Sequence, residues 1–185
     1  MSELIIGIDP SLNCTGICVR YKDYEKFYVV TSHKEKRFIT DCENHNINYI
    51  YCEIPKKSHN SSTDALNETR RIIYISKQIS AVVGSEIALN RVCDCLVRME
   101  GCALRALGKV ESLFALQHII RERLIELGVN IEIRTPSNNK KLFTGKGNAN
   151  KELMVSTFLQ EHKELTDITA KFLDDIADAY SLTAN

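Results

Sequence analysis

The sequence has no excess of either charge. Lys plus Arg and Asp plus Glu both total 24, so net charge names no partner, and a nucleic-acid binder with this balance must segregate its basic residues. There are seven cysteines, an odd number, and no CxxC pair among them. That argues against zinc and places a chain of mostly free thiols in a reducing compartment. No apolar run is long enough to span a membrane. No signal peptide precedes Asn13, Asn60 or Asn67, each of which begins an Asn-x-Ser/Thr sequence. The expectation is an intracellular, soluble protein. Internal repeats and low-complexity stretches are missing too, whereas the lack of tryptophan and the three prolines exclude nothing. What remains is ordinary globular composition, 44% hydrophobic and 26% charged over 185 residues, enough for one domain (1–185) with a sizeable core.

The apolar run Leu4–Ile8 ends in Asp9, a polar turn covers Pro10 to Asn13, and a second β-prone run starts at Thr15. This reads as a buried hairpin with a carboxylate where an apolar side chain is expected. Asp9 is either a turn cap or a buried charge that needs a cation or donors. Lys26 to Ser32 supplies a third strand and completes an antiparallel meander. From His33 to Asn48 no period is visible, so the stretch reads as irregular or inserted, with a short strand at Asn48–Ile54 and a solvated basic loop at Lys56–Ser61. Ser62 or Thr63 is the expected N-cap of an amphipathic helix that buries Leu66, Ile72, Ile73, Ile79 and Val83 and stops at Gly84. Val92–Met99 is the next strand, and it runs into Glu100. A long helix over about 103–127 carries two apolar stripes, wider than one buried face requires. It is either sunk in its own core or meets a second body. Val129–Arg134 is a strand, Pro136 opens a lysine- and glycine-rich loop, a helix covers about 149–162, and a last helix is capped by Asp174. Hairpin strands first and helix-linked strands later indicate a mixed α/β sheet flanked by helices.

Four carboxylates stand in unusual places. Asp9 and Glu100 end strands, while Asp175 and Asp178, three apart, share one face of the last helix. Ala177 and Ala179 beside them are small enough to let that helix lie close to the sheet. If the two strands are parallel neighbours, all four carboxylates can meet. Such a cluster repels itself and raises its own pKa values unless divalent cations relieve it, and oxygen-only ligands suit Mg²⁺ or Mn²⁺. Two such ions about 3.5–4 Å apart form the clamp used for phosphodiester hydrolysis.

This order of acids resembles the RuvC-like Holliday junction resolvases of the RNase H-like superfamily. GIDPSLNCTG is similar to that family's opening GIDPG-x-x-x-TG, with Ser11 in place of Gly. RRIIYISKQI resembles its helix before the second acidic strand, and KKLFTGKGNANKE with DDIADAYSL looks most like the phage and viral branch. The resemblance implies an RNase H-like nuclease domain with an insertion within about 33–61. It makes Asp9, Glu100, Asp175 and Asp178 catalytic metal ligands for two Mg²⁺ or Mn²⁺ ions. It places Lys140 and Lys151 on DNA near the scissile phosphate, and Lys141 and Lys146, spaced by Gly145 and Gly147, extend that DNA-binding loop. The implied activity is a homodimer that nicks a four-way DNA junction symmetrically to 3′-hydroxyl and 5′-phosphate ends, with the 103–127 helix as dimer surface. It would work in the cytoplasm, the nucleoid, or the host compartment where viral or phage DNA is processed.

One departure concerns the substrate. Bacterial members carry a crossover-inserting aromatic three residues after the strand Glu, where this chain has Ala103; Cys102 and Leu104 cannot stack on a base either. The alternative is therefore the same chemistry on branched, flap or fork DNA. A non-catalytic DNA-binding module conflicts with the intact acidic set, and an actin-like ATPase or kinase needs two related domains and a longer chain.

Overall fold

A computed structural model describes residues 3–92, 94–102, 110–168 and 171–184. Three strands form the antiparallel meander: β1 (Leu4–Asp9), β2 (Cys14–Tyr21) and β3 (Tyr24–Thr31). Helix α1 (Lys36–Asn44) then crosses to β4 (Asn48–Tyr51), which pairs parallel with β3. The chain continues through α2 (Ser61–Asn90), β5 (Cys95–Glu100), α3 (Val110–Glu126) and β6 (Asn130–Arg134). Helices α4 (Pro136–Thr144), α5 (Lys151–Glu161) and α6 (Phe172–Thr183) complete it, with one 3₁₀ turn at Lys163–Leu165. The strands make one mixed sheet in the order β4-β3-β2-β1-β5-β6, with β5 parallel to both β1 and β6. The expected α/β class is the observed one.

Strand periodicity divides the core into two layers. Leu4, Ile6 and Ile8 on β1, Ile17 and Val19 on β2, and Cys95, Val97 and Met99 on β5 pack with α2 and α3. Alternate side chains point to the other face, where Cys14, Cys18, Phe27 and Val29 meet Phe38 of α1, Phe158 of α5, and Phe172 and Ile176 of α6. On β1 the second set is Ile5, Gly7 and Asp9, and on β5 it is Leu96, Arg98 and Glu100. Both strand-ending carboxylates thus point toward the α6 side.

That helix lies directly on the strands because two glycines permit it. A Cβ on Gly7 would sit 2.0 Å from the Ala179 carbonyl oxygen, and one on Gly16 would sit 2.1 Å from that of Asp175. Ala177 and Ala179 are wholly buried in the contact, as their size suggested. At the far end of α6, Arg98 Nη1 donates to the carbonyls of Leu182 and Ala184, both at 3.3 Å. Arg134 Nη1 donates to the same two oxygens at 3.5 and 3.2 Å. Glu132 bridges the two guanidiniums at 2.8 Å each. Cations on the last carbonyls suit the helix dipole, and Asp174 and Asp175 in the first turn suit its other end.

Several expectations are corrected. The stretch His33–Asn48 is not irregular: it holds α1, which buries only Phe38 and Cys42, and β4 is an edge strand of the main sheet. The cap of α2 is Asn60, whose side chain accepts from the amides of Ser62 and Thr63, so neither of those residues caps. Gly84 does not stop that helix, which runs on to Arg91 in the left-handed conformation. Leu66 is exposed rather than buried, and Ile75 and Val82 join Ile72, Ile79 and Val83 in the core. Pro136 starts a helix rather than a loop, because Thr135 caps α4 and proline fits its first turn. Asp174 lies within the first turn of α6 and does not cap it. By length and composition α2 could cross a membrane, but its Ile72, Ile75, Ile79, Val82 and Val83 belong to the core packed on the sheet. The six described cysteines are free, five of them buried.

Candidate active site

The parallel register sets the first two acids. Ile8 pairs with Met99, so Asp9 and Glu100 are the next neighbours, side by side at the strand ends. The close approach of α6 then brings Asp175 and Asp178 over them. All four line one cleft of about 460 Å³ together with Pro10–Asn13, Cys102, Gln117 and Lys151. The structure thus gathers the four acids singled out in the sequence.

Each carboxylate keeps some contact with solvent, yet all four are harder to ionise than usual. Burial raises Asp9 well above the ordinary aspartate range, and the charges of Glu100, Asp178 and Asp175 raise it further. Burial and Asp178 push Glu100 up to about 7, against the opposing pull of Lys140. Asp175 is pushed up to about 7, chiefly by burial, although the Cys14 thiol donates to its carboxylate and eases the shift. Asp178 is raised by burial to about 6, with Lys140 and Lys151 pulling it down. Asp9 and Glu100 also share a hydrogen bond, which raises Asp9 further and lowers Glu100.

The donor set, four carboxylates and no imidazole, has the chemistry of a hard divalent cation site. Among the described residues, however, no three His, Cys, Asp or Glu side chains stand together as a metal-holding group. To hold an ion these side chains would have to draw closer together, and an ion there would relieve the mutual repulsion that, with burial, raises their pKa values.

The lysines divide. Lys140 on α4 is near enough for its charge to act on Glu100 and Asp178. Asn139 beside it is fully buried and donates to Ser181 Oγ at 2.6 Å, and Ser181 Oγ donates to the Asp178 carbonyl at 2.7 Å. That chain of bonds docks α4 on α6. Lys151, at the start of α5, lines the cleft and forms an ion pair with Asp174. Lys141 and Lys146 are exposed near the end of α4 and do not line the cleft.

Sequence reasoning missed the supports of the site. Thr15 Oγ1 donates to the Ser11 carbonyl at 2.8 Å and accepts from the Ser11 amide at 3.0 Å, which closes the turn after Asp9. The Asn13 carbonyl accepts from the Ser32 amide at 2.9 Å and from Thr31 Oγ1 at 3.0 Å. Gln117 Nε2 donates to the Glu100 carbonyl at 3.0 Å. Its signal was available: Gln117 falls on the buried face defined by Leu116, Ile120 and Leu124, where a polar side chain must find a partner. Ala103 and Leu107 of the expected long helix, and the position of the missing aromatic, lie outside the described residues. The described part of α3 buries Leu116, Ile120 and Leu124 and leaves Ile125 68% exposed.

No family model and no curated protein sequence matches the chain. Solved structures do match in shape. The Thermus thermophilus RuvC structure superposes with a TM-score of 0.53 at 18% identity, covering 97% of this chain and 90% of that one. The fold is RuvC-like. T. thermophilus RuvC in complex with Holliday junction substrate gives a TM-score of 0.58 at 14% identity, over 98% of this chain and 90% of that one. The yeast mitochondrial Holliday junction resolvase Ydc2 gives 0.53 at 11% identity, over 98% and 76%. At these identities the likeness to RuvC is one of fold.

Proposed function

We propose that the chain is a divalent-metal-dependent endonuclease that resolves four-way DNA junctions by paired symmetric nicks, leaving 3′-hydroxyl and 5′-phosphate ends. The observation that carries this reading is the gathering of Asp9, Glu100, Asp175 and Asp178 on one cleft of a RuvC-like fold. Neither the acids nor the fold alone would suffice, since folds host many activities.

Asp9, Glu100, Asp175 and Asp178 would hold two Mg²⁺ or Mn²⁺ ions. Such ions, when bound, activate a water for in-line attack and stabilise the leaving 3′ oxygen. The chain's own part is to fix the ligands and the strand. Gly7 and Gly16 set the height of α6 over the sheet, and Gln117 holds the end of β5. Lys140 and Lys151 stand beside the acids, where their charge can meet the phosphate that the carboxylates would otherwise repel. Lys141 and Lys146 extend that positive edge along the DNA backbone. The protein would act as a homodimer, because a two-fold assembly matches a two-fold junction.

The test uses synthetic four-way, three-way and linear DNA with Mg²⁺ and with chelator. Paired nicks in the four-way substrate only, and only with the metal, are expected. Equal cutting of linear duplex would overturn junction selectivity, and cutting in chelator would overturn the metal requirement.

A further inference from the structure

The Pro10–Asn13 turn, which forms one rim of the carboxylate cleft, is held from behind by Arg71 of α2. A terminal nitrogen of its guanidinium donates to the Leu12 carbonyl and, at 3.1 Å, to Asn13 Oδ1. Arg71 is only 6% exposed, yet its Nε is buried with no hydrogen-bond partner. An unpaired guanidinium N–H at that depth is costly.

The same side chain lines a second cleft, of about 150 Å³, between the segment after β4 and the first turns of α2, with Lys56, Lys57 and Asn67. Both lysines are exposed. Of the acids there, Asp64 already accepts from the Ser58 amide at 2.7 Å, and Glu68 stands 3.8 Å from Arg71 Nη1. The space suits a phosphate group rather than a whole nucleotide. One short turn thus separates two clefts, one lined by four carboxylates and one in which three cations outnumber two acids, in a chain whose net charge is zero.

We propose that this second cleft is a phosphate-holding subsite that grips the backbone of a DNA strand on the far side of the Pro10–Asn13 turn from Asp9. The proposal rests on the nuclease reading. Lys56 and Lys57 supply the exposed charge, the buried Arg71 guanidinium adds a third cation, and its bonds to Leu12 and Asn13 tie the occupied subsite to the turn that follows Asp9. A strand engaged there is anchored on both sides of the rim, which gives the cleft a fixed strand direction. Backbone contacts of this kind position DNA without reading its sequence.

The test is fluorescence anisotropy of a labelled four-way junction in chelator across a salt series, with the full chain. Wild type is compared with Lys56→Ala/Lys57→Ala, two exposed positions whose loss leaves the core intact. A control removes two charges from the opposite end of the sheet: Lys163→Ala with Lys22→Asn, asparagine tolerating the left-handed backbone at residue 22. The Lys56/Lys57 variant should bind on the order of tenfold more weakly at moderate salt, and its log K against log salt slope should flatten by roughly 2. The control should match wild type. Wild-type binding with an unchanged slope in the Lys56/Lys57 variant, or an equal loss in the control, overturns the subsite and leaves the nuclease reading standing. Wild type that binds no junction overturns both.

Discussion

The carbonyl oxygen of Asp175 lies 2.1 Å from the point where a side chain on Gly16 would begin. That contact joins the last helix to the second strand at the residue paired with Asp9, so the spacing of the acids is set by backbone against backbone. Gly16→Ala should force α6 off the sheet and cost about 1–3 kcal/mol, with Gly7→Ala similar. Gly84→Ala is the contrast, since its new Cβ would meet only the Leu127 side chain at 3.7 Å inside a helix, and it should gain roughly 0.5–1 kcal/mol. Chemical denaturation of the three variants decides this, and a neutral Gly16→Ala would contradict the account of how α6 is placed.

The acids make stability depend on pH in an unusual direction. In the unfolded chain they titrate near 4, and in the fold Glu100, Asp175 and Asp178 titrate at about 7, 7 and 6. Between those values the folded state holds more protons than the unfolded state, so stability falls as pH rises. Without metal, these groups make the protein less stable at pH 8 than at pH 5. Thermal melts in chelator should show that fall, and Mg²⁺ should restore stability most at pH 8, where the carboxylates are ionised. Melting temperatures that rise from pH 5 to pH 8 in chelator would count against the clustered, self-repelling acids.

A related trade-off follows for single acids. Asp175→Asn removes a charge that burial and its neighbours disfavour, so at pH 8 in chelator it should melt higher than wild type while losing metal-induced stabilisation. Melts with and without Mg²⁺ separate those two effects.

The far end of α6 offers an independent test. Arg98 and Arg134 cap its last carbonyls, so Arg98→Met should cost about 1–3 kcal/mol by leaving buried acceptors short of donors. Denaturation should show this loss, together with weaker Mg²⁺ stabilisation as the helix loosens over the site.

The positions of the acids were legible because each broke a local rule. Asp9 and Glu100 end apolar runs, and Asp175 and Asp178 repeat at helical spacing among small residues. The supports were less legible because they depend on distant partners. Gly7 and Gly16 read as ordinary motif glycines until α6 is laid on them, and Arg71 reaches back 59 residues to Leu12. Helix α1 buries two side chains in nine residues, too few to show a period. In Asn60–Thr63 every residue can cap a helix, so the sequence alone could not choose among them. Gly84 failed as a stop signal because tertiary packing of α2 against the sheet and α3 outweighs the small helix penalty of one glycine.

The most direct measurement is single-turnover cleavage of a prebound four-way junction by wild type, Asp9→Asn and Asp175→Asn. Binding is verified by anisotropy in the same samples. The account predicts Mg²⁺-dependent paired nicks for wild type, with both variants bound within a few-fold of wild type and slowed at least about 10³-fold, the scale of losing an electrostatic contact to the transition state. Cleavage by either variant at near wild-type rate would contradict it.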